Sequence, residues 1–427
     1  MPPDTVVADQ RRPVHADGSE TRTRCSLRLR GARVTVDAHS AIVADVEINH
    51  GRIQSINPSS GCAQYQSRLD PEAAEIDLAG YLLLPGLINA HDHLEFGLFP
   101  KLGRGPYQNA EQWAEDIYRP ESSPIREHLD VPKPLRLWWG GIRNLLCGVA
   151  TVCHHNEFRT DIFEDGFPVR VLKRYAWSHS LLFGGDIAAA FRASDSQTPY
   201  IIHLGEGVDS ASTAEVFEID REGLLDARTV IVHGVALDDA GHDLLIRRGA
   251  ALIWCPGSNL FTLGMTLSPE RIRQNPRIAL GSDSALTAGD LLDQIAIASE
   301  LGVPAEQIFA LVTTRAADVL KLQNGEGALH AGSIADIIAI PDSGLSPADT
   351  LVRTTTDQIE LVLSAGIPHL LSSQMFSRFP VEFHSGLDAI SVEGTERYVR
   401  APVTHLLEET KKRLIGAVRL GGKQVQA

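Results

Sequence analysis

The sequence predicts an α/β fold: a (β/α)8 TIM barrel with a small β-sandwich domain built from both chain ends. Short apolar runs alternate with helical patterns over residues 81–324, and period-2 patterns flank that region on either side. No glycine-rich phosphate turn follows the first buried strand, which disfavours an open dinucleotide-binding sheet. The chain has 427 residues, 43% of them hydrophobic and 22% charged, a folded composition long enough for two domains.

Residues 1–23 are polar, carry Pro2, Pro3 and Pro13, show no periodicity and read as a disordered tail. In 24–80, Leu27 and Leu29, Val34 and Val36, Val46 and Ile48 alternate with polar neighbours, with Gly31 and His50-Gly51 as turn punctuation. Residues 325–400 return to short strand patterns around Gly332 and at 358–363. Neither flank has enough strands to bury a face alone, so the two are expected to combine. Between them, 81–324 opens with Leu82-Leu83-Leu84 and Leu87-Ile88, a run suited to strands buried on both sides. Leu135, Trp138, Trp139, Ile142, Leu145 and Leu146 keep helical spacing, and Gly148 supplies the stop. Buried strands follow at 149–153, 169–172, 200–204, 230–233, 252–255 and 278–281, with a helix at 238–248 closed by Gly249. Residues 401–427 read as a C-terminal helix with a solvated charged face, then a tail.

With 39 basic against 54 acidic side chains the net charge is −15, which argues against nucleic acid and acidic membrane surfaces as partners. No apolar run reaches the roughly 18 residues that cross a bilayer, and the N-terminus shows no apolar leader core. Five cysteines without framework spacing point to reduced thiols and a cytoplasmic location.

In a barrel, the C-terminal strand ends form the active face. His91 and His93 follow the first buried run, and residues two apart in extended chain point the same way. His203, His233 and Asp283 each end a later apolar run. Several imidazoles with one carboxylate suit Zn²⁺ or Fe²⁺ rather than Mg²⁺ or Ca²⁺, which favour oxygen-only shells. Glu206, three residues after His203, stands just past its strand end, where it suits proton transfer to a substrate attacked by metal-activated water. His155, His179, Trp177 and Asn259 follow other strand ends and are candidates for contact with a planar small-molecule substrate. Cys153 precedes His154, but neighbours on a strand point to opposite faces, so a cysteine nucleophile paired with that histidine is disfavoured.

The segments Leu84-Pro85-Gly86-Leu87-Ile88-Asn89-Ala90-His91-Asp92-His93, His203-Leu204-Gly205-Glu206, His233-Gly234, Cys255-Pro256-Gly257-Ser258-Asn259-Leu260, Gly281-Ser282-Asp283-Ser284 and Gly332-Ser333-Ile334-Ala335-Asp336 resemble the amidohydrolase superfamily, in particular its cytosine deaminase and triazine or guanine deaminase-like branch. The resemblance implies a barrel beside a β-sandwich and one divalent ion, Zn²⁺ or alternatively Fe²⁺, held by His91, His93, His203 and Asp283. It also implies that His233 contacts the metal water or the substrate, and that Asp283 takes a water proton while Glu206 protonates a ring nitrogen. The activity implied is deamination of a purine, pyrimidine, pterin or triazine-like ring. Hydrolysis of an amide or a ring halide is the alternative, and a non-catalytic homologue a remoter one. Binuclear relatives carry a carbamylated lysine on the fourth strand, which directs attention to Lys173. Relatives often assemble, so a homo-oligomer is implied as well. The loop 94–120 matches no substrate signature.

Overall fold

The computed structural model describes residues 26–59, 73–164, 166–183 and 185–426, so the expected tail at 1–23 lies outside the described residues. Its centre is a mixed α/β, TIM-barrel-like domain of parallel strands, which we number β1 (Leu87–Asp92), β2 (Val149–His154), β3 (Arg170–Val171), β4 (Ala176–Trp177), β5 (Tyr200–Leu204), β6 (Thr229–His233), β7 (Ala251–Trp254) and β8 (Ile278–Leu280). Hydrogen bonds join them as two arcs, β1-β2-β3 and β4-β5-β6-β7-β8. One gap is bridged where the Ser282 and Asp283 N–H groups both donate to the His91 carbonyl, at 3.0 and 3.1 Å. At the other, the chain departs from a regular repeat. β3 pairs with β2 and β4 with β5, yet only four residues separate β3 from β4, leaving no room for a helix. One extended stretch therefore serves both neighbours in turn.

The helices form where the pattern places them. Lys133–Leu146 buries Leu137, Trp139, Ile142 and Leu145, and Gly148 turns the chain back with φ +83°, a conformation that favours glycine. Asp239–Arg248 starts on the Asp238 side chain, which accepts the Gly241 N–H, and stops at Gly249 in the left-handed region.

Strands from both chain ends share one 12-stranded sheet. Its seam is Tyr81–Pro85, parallel to Leu27–Thr35 on one side and antiparallel to Ile337–Pro341 on the other. This corrects the expected boundary, since 81–85 belongs to the sheet and the barrel begins at Leu87. Successive side chains of a strand point to opposite faces. Leu82, Leu84, Ile338 and Ile340 accordingly join the core shared with the barrel helices, while Leu83, Ile337 and Ala339 join Leu27, Leu29, Val46 and Ile53 on the far face.

The C-terminal stretch is more than the solvated helix and tail expected of it. Helix Val403–Lys411 buries Val403, Leu406 and Leu407, and its Thr410 hydroxyl accepts the Trp139 indole N–H at 2.8 Å. Strands Arg419–Leu420 and Lys423–Gln426 then extend the large sheet, and Lys423 Nζ reaches Asp290 at 2.5 Å. The charged Glu-Glu-Thr-Lys-Lys-Arg run dominated the sequence pattern and hid the apolar face opposite.

Candidate active site

Side chains from the ends of β1, β5, β6 and β8 converge at one mouth of the barrel. His91 Nε2 lies 3.3 Å from His203 Nε2 and 3.4 Å from Asp283 Oδ1. His93 Nε2 lies 3.4 Å from His203 Nε2 and 3.7 Å from Asp283 Oδ1. Metal–ligand bonds of about 2.0–2.1 Å in a tetrahedron set donors about 3.3–3.4 Å apart, and these four separations of 3.3–3.7 Å lie close to that spacing. Crowded polar nitrogens that cannot all satisfy one another are otherwise costly to bury. Two overlapping groups have every donor atom within 4.8 Å of the others: His91, His93, His155 and His203, and His91, His203, His233 and Asp283.

The protonation states suit an ion. Burial pushes His91 down to about 4 and holds His203 well below the ordinary histidine value, so both are neutral with free lone pairs. Burial alone would raise Asp283, but the facing His91, His233 and His93 outweigh it and hold the carboxyl well below the usual carboxylate range.

Each donor is oriented from behind. His203 Nδ1 donates to the His179 carbonyl at 2.7 Å, turning Nε2 toward the centre. Asp283 directs Oδ1 inward while Oδ2 accepts from Ser258 Oγ at 2.5 Å and Thr287 Oγ1 at 3.3 Å. Asp283 and His233 both sit at positive φ, +56° and +75°, a strained backbone for residues with side chains.

Beside the donors, Glu206 Oε2 lies 3.5 Å from His233 Nε2. Burial pushes the Glu206 carboxyl up to about 7 against the pull of His233, with Asp283 adding to the rise. His233 Nδ1 donates to Asn259 Oδ1 at 2.8 Å, which fixes the tautomer and leaves Nε2 facing Glu206.

Of the expected substrate contacts, the geometry corrects Asn259. It is 1% exposed, because the helix Pro256–Leu263 folds back directly after β7, and its amide joins His233 to Thr266 rather than facing a ligand. His155 stays at the site, its ring stacked 4.4 Å from that of His203. Its Nε2 donates to the Ser178 carbonyl at 3.0 Å, while its buried Nδ1 has no protein partner among the described residues. His179 lies 4.8 Å from His203 between ring centres, and Trp177 stands edge-on to His155 at 5.7 Å. Lys173 turns away, its Nζ 2.9 Å from Glu164 with the side chain 62% exposed, and takes no part in the donor cluster. Cys153 is fully buried and its thiol is pushed up by burial, so it is packing rather than a nucleophile.

The sequence reading missed the floor beneath the donors. Asp92 projects opposite to His91 and His93, and its Oδ2 accepts from Arg143 and Asn144, both at 2.7 Å, from Ser282 Oγ at 3.1 Å and from Asn89 at 3.2 Å. Arg143 also donates to the Asp283 carbonyl at 3.1 Å, tying β1 to the end of β8. The signal was an arginine on the buried stripe of an apolar helix together with a charged residue flanked by two candidate ligands. Replacing Arg143 with Leu strands the buried Asp92 charge and is expected to cost about 3–5 kcal/mol of stability. Urea unfolding checks this, and a loss below about 1 kcal/mol would contradict the pairing.

Residues 187–367 match the amidohydrolase family model, a span holding His203, Glu206, His233 and Asp283 and starting beyond His91 and His93. A 5-methylthioadenosine/S-adenosylhomocysteine deaminase of Haloquadratum walsbyi is 25% identical over 359 residues, 70% of this chain and 80% of its own. One from Nitratidesulfovibrio vulgaris is 24% identical over 84% of this chain and 94% of its own. Among solved structures, a zinc-bound adenosine deaminase from Xanthomonas campestris aligns with TM-score 0.66 at 18% identity, covering 91% of this chain and 97% of that one. The zinc complex of an atrazine chlorohydrolase from Arthrobacter aurescens aligns with TM-score 0.68 at 17% identity, covering 91% and 100%. Both structures share the fold. The mouth of a barrel bearing four convergent donors defines a hydrolase of the metal-dependent kind. The family-model match over 187–367 and the relatives at 24–25% identity make the chain similar to metal-dependent amidohydrolases.

Proposed function

We propose that the protein is an aminohydrolase that replaces an amino group on a nitrogen heterocycle with oxygen, releasing ammonia. The observation that carries this is the half-buried Glu206 carboxyl, 3.5 Å from His233 at the edge of a cluster of donors 3.3–3.7 Å apart. The deaminase names of the sequence relatives support it. His91, His93, His203 and Asp283 would hold a single zinc ion, the metal of the two similar structures. Such an ion supplies a water that loses its proton near pH 7.

The remaining steps belong to the chain's own groups. Asp283, ionised, accepts a proton from the attacking water. Glu206 delivers a proton to the ring nitrogen next to the carbon under attack, so charge does not build on the ring. His233 Nε2, fixed by Asn259, orients the oxygen on the side facing Glu206. Asp283 then returns the proton it took from the water to the amine, which leaves as ammonia, because the unprotonated amine anion is a poor leaving group. His155, His179 and Trp177 would line the ring's binding face, with His155 Nδ1 free to accept from a ring or amine N–H. The architecture we propose is the barrel with a β-sandwich of 24–80 and 325–400, amended at 81–85. The enzyme is expected to work in the cytoplasm as a homo-oligomer. Cys147, Cys153 and Cys255 are buried free thiols, and no helix among the described residues is long and apolar enough to cross a membrane.

The test is a panel of adenine nucleosides, led by 5-methylthioadenosine and S-adenosylhomocysteine, with aminopyrimidines, pterins and triazines, read by ammonia release from zinc-loaded protein. Ammonia from at least one ring amine is the expected result. Release of chloride or an alkylamine from triazines without ammonia from any ring amine would replace the deaminase reading with its rival.

A further inference from the structure

Glu206 stands on a loop that is held from both sides. On one side, the carbonyl of Gly205 is taken by the Ala236 N–H at 2.9 Å, and Gly205 itself turns with φ +63°. Its own N–H points away from the strand ladder and donates to Glu215 Oε2 at 2.6 Å. Glu215 belongs to helix Ser210–Arg221, which follows the loop and starts on the Asp209 side chain. On the other side, the Ala110 N–H donates to the Glu206 carbonyl at 3.0 Å, and the Val208 N–H to the Gln108 carbonyl at 2.8 Å. Asn109 and Gly207 form an isolated bridge, and Asn109 Nδ2 donates to Asp209 Oδ2 at 2.6 Å. There is no slack here, since a Cβ on Gly207 would come within 2.1 Å of Ser212 Oγ and 3.0 Å of the Gln108 oxygen.

Glu215 is an expensive choice for this place if stability were its only purpose. The charged groups that act on it most, Glu206, Glu111 and Asp209, are all carboxylates, and a carboxylate withdrawn from water among like charges costs free energy. What it provides is a strong acceptor for an N–H that the fold otherwise leaves at the strand end without a ladder partner. That N–H belongs to the residue immediately before Glu206.

We infer that Glu215 is a positioning residue: through the Gly205 N–H it fixes the backbone from which Glu206 reaches the substrate. The inference rests on the proton-donor role proposed for Glu206. A shift of about 1 Å in a group that must meet a reacting atom costs on the order of 100-fold in rate, whereas ground-state binding through other contacts is little changed. The loss therefore appears in kcat and spares KM.

The experiment compares Glu215→Met, which keeps length and apolar volume without a strong acceptor, with Glu215→Gln, whose amide oxygen can accept the same N–H. Both are assayed as full-length, zinc-loaded protein on the best substrate of the panel, with metal content by mass spectrometry and melting temperature alongside. For Glu215→Met, kcat is expected to fall about 10- to 100-fold with KM and metal content unchanged. Glu215→Gln should recover to within about threefold of the parent, since its amide oxygen can accept the Gly205 N–H in place of Oε2. The inference is overturned if Glu215→Met keeps its kcat, if both variants fall alike, or if Glu215→Met loses its metal or its fold. Glu206→Gln run in parallel separates the two readings: full activity there defeats the proton-donor role itself, whereas an inactive Glu206→Gln beside an unimpaired Glu215→Met defeats only the role of Glu215.

Discussion

Asp283→Asn protein is expected to purify folded but without bound metal and without turnover. Asp283 is the one carboxylate of the proposed ligand set His91, His93, His203 and Asp283, so its removal would leave three imidazoles to hold a dication in a buried cavity. Loss of a partner that merely orients a ligand costs about 10- to 100-fold in metal affinity or activity, so loss of the ligand itself is expected to exceed about 100-fold in both. Asparagine is the informative replacement. It tolerates the positive φ of +56°, and its amide oxygen can still accept from Ser258 and Thr287, so the backbone and outer hydrogen bonds survive while the charge goes. Asp283→Ala adds backbone strain to the same loss and should melt lower than Asp283→Asn. Metal analysis of each purified variant, with the parent as reference, is the check. One tightly held ion per chain in Asp283→Asn would remove Asp283 from the ligand set.

The convergence of the candidate donors was legible in the sequence because barrel geometry makes position predictive. A polar residue directly after a buried apolar run lies at a strand end, and strand ends of parallel barrels meet at one face. His91, His93, His203, His233 and Asp283 each satisfied that rule without any knowledge of their contacts. Less legible was what depends on where a loop or helix turns next. Asn259 follows a strand as the others do, but the helix that starts at Pro256 carries it behind His233. Asp92 was read only as the spacer between two ligands, and Arg143 not at all, because their pairing joins residues 51 apart across a helix and a strand. The β3–β4 stretch was read only in part for a related reason: the apolar run at 169–172 registered as one strand, and nothing in the composition says that the chain pairs again at Ala176–Trp177 with a second neighbour.

Glu206→Gln is expected to keep its metal and to lose most of its turnover. The substitution preserves shape but removes the transferable proton, and proton transfer by a positioned group contributes about 10²- to 10⁴-fold, which sets the expected loss in kcat. None of the donor-to-donor spacings involves Glu206, so metal content is expected to match the parent. The pH profile adds an independent reading. Burial raises the Glu206 carboxyl to about 7, so below that pH the group carries the proton it must give, and above it the competent fraction falls tenfold per pH unit. Activity that depends on this proton is therefore present on the acid side of the value and lost as pH rises through it. A bound dication favours the ionised form and moves the limb to lower pH without changing its sign. In Glu206→Gln the residual rate should lose that alkaline limb, because an amide has no proton to titrate there. A variant that turned over at the parental rate, or that was slow yet kept the same limb, would assign the proton transfer to another group, and His233, whose Nε2 lies 3.5 Å from the carboxyl, would be the group to replace next.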